Sequence, residues 1–136
     1  MLDLIVLLCS PTILVIDDDP DFLKLMKHVL DLHGYETELK SSAEEGLAYF
    51  EANCADIKLV IIDVLMRGTM GPELVKRLRS LQPTIKVLFA SAYALEIIDP
   101  ATQCAFPLLN KPLKPMQVID KLREMLGENS PASSIA

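Results

Sequence analysis

The chain has 136 residues and a formal net charge of −6, with 51% hydrophobic and 24% charged residues. That length holds one domain around a single core, and the apolar share excludes a disordered chain. The acidic balance, with no basic cluster anywhere, argues against a nucleic-acid surface, because phosphate binding needs concentrated Lys and Arg.

Residues 1–11 open with Asp3 and an apolar run from Leu4 to Cys9, closed by Ser10-Pro11. A bilayer span needs about 20 residues, and a secretory signal carries a basic n-region where this one has an acid. The segment reads as a leader from an upstream start or a cloning junction, with a sticky segment packed on another chain as the alternative. The first strand follows as Ile13-Leu14-Val15-Ile16, which ends in Asp17-Asp18-Asp19. Asp19-Pro20 then offers an N-cap and a first-turn proline. Phe22, Met26, Val29 and Leu30 keep helical spacing up to Gly34, which closes the helix. Tyr35 to Lys40 alternates apolar and charged residues as an edge strand does. Ser42 and Glu45 offer a capping box for a second helix carrying Leu47 and Phe50.

Leu59-Val60-Ile61-Ile62 is the next unbroken apolar run, and Asp63 ends it. Leu74, Leu78 and Leu81 form the stripe of a third helix that stops before Pro83. Val87-Leu88-Phe89-Ala90 ends in Ser91, and Phe106-Pro107-Leu108-Leu109 ends in Asn110-Lys111. Between them, Tyr93 to Ala105 holds Asp99-Pro100 and predicts a short or broken helix. Val118, Leu122, Met125 and Leu126 line a last helix ended by Gly127, and residues 128–136 read as a flexible tail. Unalternating runs that begin at Ile13, Leu59, Val87 and Phe106 have the spacing of βα units in a parallel sheet covered on both faces. The fold expected is α/β, an open doubly wound sheet, in one domain over residues 12–127. Cys9, Cys54 and Cys104 lack metal-type spacing and read as small apolar residues in a reducing cytosol.

The chemistry sits where the strands stop. In open α/β sheets, ligands bind outside the carboxyl ends of the strands. There the sequence delivers Asp17, Asp18, Asp63, Ser91 and Lys111. Carboxylates gathered together need a cation or protons. Hard oxygen donors without His or Cys favour Mg2+, which often shares its shell with phosphate. A carboxylate can attack phosphorus, and a metal and a lysine would neutralise the group in transfer. The cluster points to phosphoryl chemistry on an aspartate.

The chain resembles the receiver domains of response regulators over roughly residues 12–127. The resemblance rests on Ile16-Asp17-Asp18-Asp19-Pro20, Ile62-Asp63-Val64-Leu65-Met66, Gly71-Pro72-Glu73-Leu74, Ala90-Ser91-Ala92 and Lys111-Pro112-Leu113. Gly71 to Leu88 is most similar to receivers attached to hybrid sensor kinases. The resemblance implies a five-stranded parallel sheet of flavodoxin-like order 2-1-3-4-5. It implies Asp63 as phosphoacceptor and a Mg2+ ion held by Asp17, Asp18, Asp63 and the Leu65 carbonyl. Ser91 would bond the incoming phosphoryl group, and Lys111 would pair with it and with Asp63. The implied donor is a histidine kinase or histidine phosphotransfer domain, in the cytoplasm, with no direct nucleic-acid or membrane contact and with homodimers known among relatives. Such domains are phosphoacceptors rather than enzymes, although many catalyse their own dephosphorylation.

Two positions depart from that pattern. Leu108 stands where receivers usually carry a switching aromatic, and Arg67 stands where a proline is usual. Leu65 and Tyr93 occupy the positions that flank the attacking water in such domains. Both are bulky and neither activates water, so the expectation is slow dephosphorylation, over minutes or longer. Two other readings remain. Asp17-Asp18-Asp19 also resembles the nucleophile motif of haloacid-dehalogenase phosphatases, with Asp17 attacking. A pseudo-receiver that binds partners without taking phosphate would be consistent with Leu108.

Overall fold

The computed structural model describes residues 12–66, 69–92 and 105–127. The expectations placed on residues 1–11, Arg67, Tyr93 to Cys104 and the tail lie outside the described residues. β1 (Thr12–Ile16), α1 (Pro20–Leu32), β2 (Glu36–Lys40), α2 (Ala43–Asn53) and β3 (Ile57–Ile62) come first. A small hairpin follows, β4 (Leu65–Met66) and β5 (Thr69–Met70), then α3 (Gly71–Leu81), β6 (Lys86–Ser91), β7 (Leu108–Asn110) and α4 (Pro115–Leu126). The main sheet is five-stranded and parallel, in the order β2-β1-β3-β6-β7. Counted along its own strands that order is 2-1-3-4-5.

Alternation along the central strands divides the core into two layers. Leu14, Ile16, Val60, Ile62, Val87 and Phe89 face α2 and α3. Ile13, Val15, Leu59, Ile61, Leu88 and Ala90 face α1 and α4. Both faces are covered, which is why these strands show no polar alternation. Among the described residues β2 pairs only with β1, and its exposed Glu36 and half-buried Glu38 and Lys40 fit an edge.

The helix ends follow local chemistry. Asp19 caps α1 by accepting from the Asp21 N–H at 3.0 Å, with Pro20 at the first position. Gly34 ends α1 at φ +84°, a backbone state that other residues rarely adopt. Ser42 Oγ accepts from the Glu45 N–H at 3.1 Å, but the Glu45 carboxylate reaches back to Ser41 rather than to Ser42. The expected capping box is therefore half formed. One stripe residue needs correcting. Leu81 is 45% exposed, and Leu74, Val75 and Leu78 make the buried face of α3. Leu81 is the last residue of α3, beyond the turn that packs on the sheet. The last strand also starts later than its apolar run, at Leu108 rather than Phe106. Cys54 is half-buried against the core.

Candidate functional site

Strand register brings the chemical residues together. β1 and β3 end in step, with Ile16 paired to Ile62, so Asp17 and Asp63 leave the sheet side by side. Their backbones are pinned by one further bond each, from the Asp17 N–H to the Lys40 carbonyl and from the Asp63 N–H to the Ile16 carbonyl, both 3.1 Å. On the other side β6 ends at Ser91, opposite Asn110 of β7. The Lys111 N–H then donates to the Ser91 carbonyl at 3.0 Å. Four chemical residues thus stand at one edge of one sheet on rigid backbone.

The two buried acids are held differently. Asp17 is 0% exposed, and its carboxylate accepts from the Lys111 ammonium at 2.6 Å and from the Asp19 N–H at 2.9 Å. Asp63 is 8% exposed, with Lys111 Nζ 3.6 Å from Oδ2 and the Leu65 N–H 3.3 Å from Oδ1. Burial pushes the Asp63 carboxyl above its ordinary value, and the neighbouring Asp17 charge adds to this. Lys111, the Leu65 N–H and the Ser91 hydroxyl pull in the opposite direction without cancelling it. Asp17, Asp18 and Asp63 each offer an oxygen within 4.8 Å of the others. Among the described residues these three carboxylates gather beside the Lys111 ammonium, and carboxylates so gathered suit a divalent cation. An all-oxygen donor set of this kind suits a hard ion.

The hairpin after Asp63 fixes the Leu65 backbone. Met66 pairs with Thr69 across the turn, and Leu65 pairs with Met70. The Gly71 N–H donates to the Val64 carbonyl at 2.7 Å. In an antiparallel ladder, bonded and non-bonded pairs alternate. With Val64 and Gly71 in a bonded pair, the Leu65–Met70 pair is a non-bonded one. The Leu65 N–H and carbonyl are therefore turned away from β5, and its N–H is already spent on Asp63. Gly71 is required here. A Cβ on it would stand 2.9 Å from the Asp63 carbonyl oxygen and 3.0 Å from Val64 Cα.

All five residues singled out for side-chain chemistry, Asp17, Asp18, Asp63, Ser91 and Lys111, lie at this edge. Lys111 sits nearer Asp17 than Asp63, whereas the resemblance implies pairing with the phosphoryl group and Asp63. Leu108 is half-buried and packs on the α2/α3 layer. Sequence reasoning missed Phe22 as part of the site. Its ring lies under the Lys111 ammonium, 4.2 Å from Nζ to the centroid. Helical spacing marked Phe22 only as core, and a contact across such a sequence separation leaves no local signal. His33, at the end of α1, turns its Nδ1 to the Val29 carbonyl at 2.9 Å, away from the acids.

Comparison with known proteins agrees with this geometry. The sensor kinase CckA of Brucella abortus (strain 2308) is 29% identical over 119 residues, which are 86% of this chain and 13% of that protein. The chain thus spans a small part of that relative. The crystal structure of the receiver domain from the hybrid histidine kinase CckA superposes with a TM-score of 0.74 at 29% identity, covering 85% of this chain and 98% of that one. The response regulator TrrA of Thermotoga maritima, solved with Mg2+ and beryllofluoride, superposes with a TM-score of 0.76 at 28% identity, covering 86% and 100%. No helix among the described residues is long and apolar enough to cross a membrane. The profile of the response regulator receiver domain matches residues 13–123. With the strand order and the acid edge in place, the chain belongs to the family of response regulator receiver domains of two-component signalling.

Proposed function

We propose that this receiver domain accepts a phosphoryl group on Asp63, with Mg2+ held by Asp17, Asp18, Asp63 and the Leu65 carbonyl. The observation that carries the reading is the cluster of three carboxylates within 4.8 Å, with the Lys111 ammonium against two of them. Mg2+ supplies positive charge that keeps Asp63 ionised and offsets the charge of the phosphoryl oxygens. Asp17, already fixed by Lys111 and the Asp19 N–H, is poorly placed to act as nucleophile. This argues against the haloacid-dehalogenase reading.

In the transfer, an Asp63 carboxylate oxygen forms a bond to phosphorus as the P–N bond of a partner's phosphohistidine breaks. The imidazole leaves with the bonding pair and regains a proton from solvent. Ser91 donates to a phosphoryl oxygen, and Lys111 moves from Asp17 toward the new anion. The donor is a cytoplasmic histidine kinase or histidine phosphotransfer domain. The chain acts as a phosphoacceptor that switches partner contacts, without turning over a separate substrate. Leu65, 48% exposed beside Asp63, offers water no base, which supports a phospho-aspartate lifetime of minutes or longer.

Calorimetric titration of beryllofluoride, a phosphoryl mimic, tests the reading on the wild type and on Asp63→Asn, each with and without Mg2+. Binding that needs both Asp63 and Mg2+ is expected. No binding to a folded wild type would overturn it and favour a pseudo-receiver that only contacts partners.

A further inference from the structure

Among the described residues Lys111 is held on three sides, and two of them are acids. Its ammonium lies 2.6 Å from Asp17 Oδ2 and 3.6 Å from Asp63 Oδ2, so it does not sit midway between them. The third side is the face of Phe22, 4.2 Å from the ring centroid, inside the range over which an aromatic quadrupole attracts a cation. Phe22 is buried, yet the ring also lines a cavity of about 350 Å³ with Asp19, Leu25, Lys111 and Pro112. Phe22 therefore belongs to the α1/α4 layer while its ring also meets the acid site.

A lysine stem has four flexible carbons and a point charge, so it needs something to keep its head in place. Hydrogen bonds to one carboxylate would tie it to that acid. An aromatic face attracts the cation without choosing a direction, so the ammonium can turn from Asp17 toward Asp63 while staying on the ring. We propose that Phe22 is a positioning residue, whose ring seats the Lys111 ammonium in the acid pocket and so raises the pocket's affinity for a phosphoryl anion. An aliphatic residue at this place would keep the core apolar but would leave that side of the ammonium facing plain hydrocarbon.

This inference rests on the phosphoacceptor reading, and two readouts on the full chain separate them. Nuclear magnetic resonance of the wild type should show the Lys111 ε-methylene protons shifted upfield by the ring current, with the shift lost in Phe22→Leu and kept in Phe22→Tyr. Beryllofluoride with Mg2+ should bind Phe22→Leu roughly tenfold more weakly, and Phe22→Tyr within about twofold of wild type. A merely structural role would weaken Phe22→Leu through its folded fraction, which the melting curve reports. If Phe22→Leu does not fold, Phe22→Met, whose unbranched chain fills irregular gaps, carries the same comparison. Wild-type affinity in the folded aliphatic variant, or the absence of a ring-current shift, would overturn the seat and leave the phosphoacceptor reading standing. Failure of the wild type itself to bind beryllofluoride would overturn both.

Discussion

Asp17 and Asp63 leave neighbouring strands at the same height, and the protein treats them in opposite ways. Asp17 has no exposed surface, an ammonium at 2.6 Å and a backbone N–H at 2.9 Å. Asp63 keeps an opening to solvent, a more distant ammonium and a weaker N–H contact, and its carboxyl lies above the ordinary value. A buried carboxylate costs several kcal/mol without a partner. The structure compensates the first acid closely and the second incompletely. The lesson is that, of two acids at one height, the one proposed as phosphoacceptor is the one whose burial is incompletely compensated.

The sharpest way to break this comparison is to remove the proposed phosphoacceptor. Asp63→Asn should abolish phosphorylation by a phosphohistidine donor and weaken beryllofluoride binding by roughly 100-fold or more. The same variant should melt higher than wild type at pH 7 in chelator. The sign follows from linkage. Below the ordinary value of 3.8 the carboxyl is neutral in folded and unfolded chains alike. Between that value and the raised one the folded chain binds more protons, so stability falls as pH rises. Asparagine has no such loss, so its advantage should vanish near pH 3. An Asp63→Asn protein no more stable than wild type at pH 7 would mean that the acid is fully compensated after all.

Removing the shared cation attacks the other acid. Lys111→Met leaves Asp17 fully buried beside Asp63 with no ammonium. Breaking a buried pair in this way should cost about 3 kcal/mol in denaturant unfolding without metal. Mg2+ should recover part of that loss, because it supplies charge to the same carboxylates. Recovery by NaCl to the same extent would instead indicate simple screening.

Much of this contrast was legible in the residues, and the limits have physical causes. The apolar runs ending at Ile16, Ile62 and Ala90 had to be strands of a sheet covered on both faces, and each placed an Asp or Ser at the carboxyl edge. The edge strand and the caps at Asp19 and Ser42 were readable because their signals are local. Leu81 misled because helical spacing says which face a residue is on, and not where the neighbouring sheet stops. The hairpin of Leu65–Met66 and Thr69–Met70 is too short to leave a periodic signal. The preference of Lys111 for Asp17, and its seat on Phe22, are distances between remote parts of the chain. No pattern in the sequence encodes them.

A smaller effect sharpens the role of the backbone that carries Asp63. Gly71→Ala would push a methyl group against the Asp63 carbonyl oxygen, Val64 Cα and the Phe89 ring, at 2.9, 3.0 and 3.1 Å. Two of those contacts are backbone and cannot turn aside. Overpacking of this kind should cost about 2 kcal/mol in unfolding free energy. It should also weaken beryllofluoride binding, since the displaced segment carries both Asp63 and the Leu65 carbonyl. A loss of stability with unchanged binding would show that the two are less coupled than the contacts suggest.

The smallest effect separates two consecutive acids. Asp18 offers an oxygen to the Asp17–Asp63 cluster, whereas the Asp19 side chain caps α1 through the Asp21 N–H. Asp19→Ala keeps the backbone N–H that Asp17 uses and removes only the cap, so it should cost about 1 kcal/mol of stability. Its beryllofluoride affinity should stay within about threefold of wild type, because one partly screened charge near the cluster changes little. Asp18→Ala should do the reverse, with stability nearly unchanged and Mg2+-dependent binding largely lost. The two variants remove the same charge from adjacent positions, so any difference between them reflects where each carboxylate points. If Asp19→Ala lost as much binding as Asp18→Ala, the cluster would be acting as a diffuse acidic patch. The contrast between Asp17 and Asp63 would then be one of depth alone.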